Sequence, residues 1–309
     1  MATPLEKLLN GLKVQPGRKI DLRNEYDPGN TGHFLSKQDA QDQLENDIQK
    51  LAEQQDRLFA QNTYALLINL QAMDAAGKDS TIKHVMSGVN PQGVLVKSFK
   101  VPSEEELDHD YLWRNFRELP NRGSIGIFNR SYYEEVLVVR VHPEFLDRQQ
   151  LPPHLKGRDI WERRYEEINN FEKYLTSNGI VVLKFFLNVS KETQRKRFLE
   201  RVDQPDKNWK FSAADILERR HWDRYMDAYE EMFNHTSTAW APWYIIPADH
   251  KWFTRLAVVS VINHTLDGLN LAYPEAGPEQ KEALLKAKEE MEQEVNGPAP
   301  RSPEKKKKR

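Results

Sequence analysis

Residues 72–81 read Ala72-Met73-Asp74-Ala75-Ala76-Gly77-Lys78-Asp79-Ser80-Thr81, after an apolar run at Tyr64–Leu70 and before a segment of helical character starting near Lys78. Strand, small-residue loop and helix form the setting in which a phosphate-binding loop works. Small side chains let backbone N–H groups approach an anion. The helix N-terminus adds partial positive charge, and Lys78 adds a full one. The fit to G-x-x-x-x-G-K-[ST] is loose: Ala72 replaces the first glycine, Asp79 replaces the hydroxyl residue, and Ser80 and Thr81 follow it. Asp74 sets a carboxylate beside phosphates, a repulsion that a bound metal ion would cancel. The competing reading is a glycine-lysine pair at an ordinary turn. The strand context, the Ala75-Ala76-Gly77 run and the aspartates flanking the pair favour the phosphate loop.

Outward from this loop, strands alternate with helices. Val94–Phe99, Ser124–Asn129, Ile180–Leu187 and Trp243–Ile246 read as further strands. Ser36 with Asp39 caps a helix of about 24 residues, with Ala40, Leu44, Ile48, Leu51 and Phe59 along one stripe. Ser103 with Glu106 caps a helix running to about Glu118. Residues 157–178 form a helix closed by Gly179. Ser190 opens a basic helix, and Ser212 and Asp215 start a long one. A last helix in this part runs to roughly Gly268. Such alternation predicts an α/β fold whose parallel sheet is covered by helices on both faces. Residues 1–35, punctuated by Pro16-Gly17 and Pro28-Gly29, read as a polar arm. Residues 36–270 read as the main domain, and 271–309 as a charged helix, with Leu284, Leu285, Met291 and Val295 in its stripe, ending in the basic tail RSPEKKKKR.

Composition narrows the function classes. The 309 residues are 39% hydrophobic, 30% charged and 10% aromatic with seven Trp, which suits a chain that buries a core. No cysteine is present, excluding disulfides, thiolate metal sites and a cysteine nucleophile. No apolar run approaches the ~20 residues of a bilayer span, and the N-terminus lacks a sustained apolar region, so the expected address is the cytoplasm. Net charge is only −2, from 45 basic and 47 acidic residues, so any polyanion must be held by a local patch. The KKKKR tail reads as solvated, and nucleic acid is not an expected partner. The nine histidines show no H-E-x-x-H spacing. No G-x-S-x-G elbow occurs, which disfavours a serine hydrolase.

The strand Ser124–Asn129 runs into Asn129-Arg130-Ser131-Tyr132-Tyr133-Glu134-Glu135. Ligands of open parallel sheets sit beyond the carboxyl ends of strands, so these side chains should share a crevice with Lys78. Arg130 could neutralise phosphate oxygens bidentately, and Glu134 or Glu135 could hold a metal ion or its water. A helix N-terminus favouring acids also explains Glu134 and Glu135, but not Arg130. Farther on, Arg197, Arg201, Lys207 and Lys210 lie on a helix–loop–helix of about 195–224, where a lid closes over phosphates in nucleotide-transferring kinases. Lys97, Lys100, Arg114, Arg117 and Arg122 supply further cations. So many positive charges from separate elements suit a ligand with more than three phosphates.

Three stretches, MDAAGKDSTIKHVMSGVNPQG (73–93), DHDYLWRNFRELPNRGSIGIFNRSYYEEVLVVRVHP (108–143) and KNWKFSAADILERRHWDRYMDAYEEM (207–232), resemble the polyphosphate kinase type 2 family. The similarity covers roughly residues 20–265. It implies a P-loop kinase fold with a helical lid, Mg²⁺ dependence, a homo-oligomer, and transfer of phosphate between inorganic polyphosphate and a nucleotide. The family's loop motif falls on Asp74, Gly77 and Lys78, with Ala75, Ala76, Asp79 and Ser80 around it. The family's Asp-Arg-Ser motif falls on Asn129, Arg130 and Ser131, and its lid motif on Lys207, Asn208, Trp209 and Lys210. Asn129 stands where many members carry Asp, so the missing charge is expected to come from Glu134. The Asn-Arg-Ser-Tyr-Tyr-Glu form resembles the subgroup acting on AMP and ADP, giving ADP and ATP. Resemblance and residues together point to Asp74, Lys78, Asn129, Arg130 and Glu134 as catalytic, and to Arg122, Arg197, Arg201, Lys207 and Lys210 as polyphosphate-binding. An ATP-dependent nucleoside or nucleotide kinase and a non-catalytic phosphate- or nucleic-acid-binding module are the alternatives.

Overall fold

A computed structural model describes residues 4–296. Five strands form one parallel sheet in the order β2-β3-β1-β4-β5: β1 Ala65–Gln71, β2 Val94–Ser98, β3 Ile125–Asn129, β4 Ile180–Asn188 and β5 Trp243–Pro247. Every residue of β1, β3 and β5 is buried, as expected of strands covered on both faces. All five strands agree with the sequence expectation to within a residue or so at their ends. Placing β1 between β3 and β4 is what builds the site. In this register Leu70 lies opposite Asn129, so the loops leaving β1 and β3 emerge side by side.

The helix Lys37–Gln61 starts at Ser36, whose hydroxyl accepts from the Asp39 N–H, and stops at Asn62 in the left-handed conformation. It packs on the helix Lys251–Asp267, where Asn263 Nδ2 donates to the Asp47 carbonyl at 2.8 Å. Leu51 and Leu58 are buried there, whereas Phe59 is exposed, which corrects the predicted stripe by one position.

Four further expectations change. The polar arm predicted for residues 1–35 is not one over its described part: Leu9, Leu12, Val14, Ile20 and Leu22 are buried, and Val14 N–H donates to the Trp243 carbonyl beside a Lys13–Tyr244 antiparallel bridge. This segment covers the open edge of β5. The single helix predicted from Ser103 splits into Glu104–Leu107 and Trp113–Phe116. The Asp110 carboxylate accepts the Leu112 N–H at 2.9 Å, offering the backbone a turn in place of helix. The long helix predicted from Ser212 is Ala213–Glu218, a 3₁₀ turn Arg219–His221, and Trp222–Thr236. Arg122 is the fourth and belongs to the wrong end of the sheet, as described below.

The chain divides into two compact units, the second beginning at Tyr273. Within that second unit lies the helix Pro278–Asn296, on which Leu284, Leu285 and Met291 are exposed. The Val295 side chain and the basic tail lie outside the described residues.

Candidate active site

The loop after β1 is held in an unusual backbone shape. Gly77 has φ +111°, a conformation that L side chains rarely adopt, and Ala75 sits at φ +61°. Lys78 opens the following helix and sends its Nζ back to the Ala72 carbonyl at 2.8 Å. Burial, and then the neighbouring Arg130 charge, push the Lys78 ammonium down to about 8; Asp74, Glu134 and Asp79 pull the other way.

Arg130 follows β3, also with positive φ (+64°). Its Nη2 donates to Asp74 Oδ1 at 2.7 Å, and Nη1 lies 3.5 Å from Glu134 Oε2. Glu134 above all, and Asp74 after it, hold this guanidinium charged against the cost of burial. Asn129 Nδ2 donates to Asp79 Oδ1 at 2.6 Å. The acid hydrogen-bonded to Asn129 is thus Asp79, while Glu134 lies against Arg130. A full carboxylate at position 129 would repel Asp79, whereas the amide orients it. Ser80 Oγ accepts from Arg255 at 3.0 Å, a partner the sequence did not suggest because it arrives from 175 residues away.

The lid cations sort into two kinds. Arg197 is buried and its guanidinium donates to the carbonyls of Ala75, Ala76, Ala248 and Asp249, at 3.1, 2.7, 2.7 and 3.2 Å. Expected to bind polyphosphate, it does line the crevice described next, while these hydrogen bonds also brace the strained loop. Arg201 braces the lid through Asp215 Oδ2 and the Lys210 carbonyl. Asn208 donates to the carbonyls of Arg201 and Val202, closing the turn that carries Lys207 and Lys210. Lys207, Lys210 and the exposed Trp209 face a crevice of about 900 Å³ whose other walls include the loop residues Asp74, Ala75, Gly77, Lys78, Asp79 and Ser80, then Asn129 and Arg130, and on the lid side Arg197, Glu200, Arg201 and Asp215. Lys100 and Lys251 also line it; Lys251 went unread because a lone lysine beginning a distant helix carries no motif. Ala76 is buried and turned away, with its N–H donating to the Met73 carbonyl.

Arg122 contradicts the expectation. Its Nη1 donates to the Thr63 carbonyl at 3.0 Å, and a Cβ on Gly179 would meet it at 2.5 Å. Thr63 and Gly179 precede β1 and β4, so Arg122 sits at the amino end of the sheet, opposite the crevice.

A second cavity of about 210 Å³ adjoins the crevice, sharing Phe99, Lys100, Val101 and Arg130 with it. Phe99, Val101, Leu107, Tyr111, Val138 and Phe145 give it apolar walls, and Glu134 opens into it. Glu135 also lines it, but is paired with Arg164 at 3.1 Å and Gln149 at 2.8 Å, whereas Glu134 faces Arg130.

Among the described residues no cluster of three or more His, Cys, Asp or Glu could cage a metal by itself. Mg²⁺ does not ask for one, since it binds through one or two carboxylates plus substrate phosphates and water. Asp74 and Asp79, both on the crevice wall, match that donor set.

Comparison with known proteins agrees with this geometry. Residues 34–274 match the family model of polyphosphate kinase 2 (PPK2). An ADP-polyphosphate phosphotransferase of Rhodopseudomonas palustris is 49% identical over 283 residues, covering 90% of this chain and 96% of that protein. An AMP/ADP-polyphosphate phosphotransferase of Meiothermus ruber is 45% identical over 264 residues, covering 85% and 94%. The crystal structure of polyphosphate kinase 2 from Arthrobacter aurescens TC1 superposes with a TM-score of 0.81 at 40% identity, covering 93% of this chain and 97% of that one.

Proposed function

Because this chain belongs to the polyphosphate kinase 2 family, enzymes that move phosphate between polyphosphate and a nucleotide, we propose that it phosphorylates both AMP and ADP with polyphosphate as donor. The observation that carries this reading is the open crevice holding Lys78, Arg130, Lys207, Lys210 and Lys251, far more positive charge than a single phosphate needs. The adjoining apolar cavity suits the base and sugar of the acceptor, and Arg130, shared by both cavities, marks where the two phosphates meet.

A terminal nucleotide phosphate has its second pKa near 6, so it is largely a dianion at neutral pH and needs little help from a base. The obstacle is repulsion: two unit charges 4 Å apart cost about 4 kcal/mol at an effective dielectric of 20, and several such pairs meet here. Catalysis is then charge cancellation and in-line alignment. Arg130 exchanges its contacts with Asp74 and Glu134 for phosphate oxygens, Lys78 holds the transferring group, and Lys207 and Lys210 hold the donor chain and exclude water. Asp74 and Asp79 would hold Mg²⁺, which supplies charge neutralisation between the two phosphates when bound. Asp74→Asn is expected to raise the Mg²⁺ concentration for half-maximal rate by about tenfold or more. An unchanged Mg²⁺ titration rejects Asp74 as the metal residue.

Among the described residues no helix is long and apolar enough to cross a membrane. We place the reaction in the cytoplasm, with its nucleotide pools, and in a homo-oligomer; light scattering checks the second point. The deciding assay supplies AMP or ADP with either polyphosphate or ATP and follows product nucleotides. Transfer from polyphosphate to both acceptors supports the reading. Transfer only from ATP makes the protein a nucleotide kinase, and no transfer makes it a binding module.

A further inference from the structure

The residues that follow Arg130 enter a buried polar cluster that does not line the crevice, although its Tyr132 lines the adjoining cavity. Glu172 and Lys184 are fully buried and paired at 2.6 Å. Glu172 Oε1 accepts from both the Tyr132 and Tyr133 hydroxyls at 2.8 Å. Lys184 Nζ also reaches Tyr133 OH at 2.8 Å and the Thr236 carbonyl at 2.7 Å, so all three of its N–H bonds are used. Asn69 Nδ2 completes the set by donating to Tyr132 OH. The cluster thereby joins β1, the loop after β3, the helix Ile160–Ser177, β4 and the end of the helix Trp222–Thr236.

An ion pair taken wholly out of water seldom repays its desolvation, so stability is a weak reason for its presence. Its position gives a better one. The tyrosines are the second and third residues after Arg130, whose left-handed backbone is disfavoured for a residue with a Cβ and persists only where the surroundings over-determine it. Ring packing locks the same two residues: Tyr132 stands edge-on to Phe171 and Tyr133 edge-on to Trp243. We infer that the Glu172–Lys184 pair, acting through Tyr132 and Tyr133, is a positioning device that fixes the Arg130 backbone and so aims its guanidinium into the crevice. This rests on the reading of Arg130 as a phosphate-holding residue.

The test is a double-mutant cycle on the full-length protein. Glu172→Gln combined with Lys184→Met removes both charges without stranding either. The expected result is a folded protein whose kcat for AMP phosphorylation falls about tenfold while KM for polyphosphate moves less than about threefold. In an Arg130→Ala background the same two changes should cost less than about twofold, because a device acting through Arg130 has nothing left to aim. Tyr133→Phe, which keeps the ion pair, should show a smaller loss of the same pattern and stands in if the combined variant does not fold. A folded variant with undiminished kcat, or a loss repeated in full without Arg130, overturns the inference. Turnover of the unaltered protein in the same assay separates this outcome from failure of the functional reading.

Discussion

The two ends of the parallel sheet hold arginines that look alike in sequence and behave in opposite ways. At the carboxyl end Arg130 follows β3, half-exposed, its partners Asp74 on the wall of the open crevice and Glu134 on that of the adjoining cavity. At the amino end Arg122 precedes β3, its guanidinium fitted against the Thr63 carbonyl and Gly179. One set of contacts can be exchanged for phosphate oxygens, while the other stitches loops together. Strand polarity makes the difference, since loops leaving the carboxyl ends of parallel strands fan around a common crevice. A basic residue is informative only once the end it occupies is known.

The comparison can be broken most forcefully at its active pole. Arg130→Ala or Lys78→Ala should each lower kcat by about 10²–10³, the cost of removing one donor from a charge-stabilising site. Near-normal steady-state rates in either variant would end the assignment. A gentler probe is pH. The lowered pKa of Lys78 means that its proton leaves as pH rises through about 8, so kcat/KM should be full below that value and fall above it. Lys78→Arg, if active at all, should lose this alkaline limb, because guanidinium stays charged there.

The lid tip should show less. Lys207→Ala and Lys210→Ala each remove a solvent-facing charge worth about 0.2–1 kcal/mol, so KM for polyphosphate should rise about two- to fivefold, less at high salt. The smallest effect belongs to the silent pole. Arg122→Ala should leave kcat and KM within about twofold and cost about 1 kcal/mol of stability, the worth of one hydrogen bond, read from denaturant unfolding. A catalytic defect there would erase the contrast between the two ends.

Much of this was legible from the residues because it depends on neighbours in the chain. Continuous apolar runs bounded by turns gave the strands, Ser36 and Ser190 marked helix starts, and the glycine-lysine loop announced itself between strand and helix. What escaped depends on contacts across long separations. Val14 meets Trp243 over more than two hundred residues, so the first segment looked detached. Arg197 carries the composition of a phosphate ligand, and only the fold reveals that carbonyls of two distant loops occupy it. Asn129 looked like a lost charge, yet Asp79, from the opposite loop, stands hydrogen-bonded beside it. Lys184 interrupts the apolar run Ile180–Leu187, but nothing in the sequence pairs it with Glu172 on a separate element.

Crystals grown with a short phosphate oligomer test the central claim most directly. The account predicts phosphate oxygens within about 3 Å of Lys78 Nζ and the Arg130 guanidinium, with the chain running out beneath Lys207 and Lys210. An oligomer fully bound elsewhere, with none at the glycine-lysine turn, would contradict it.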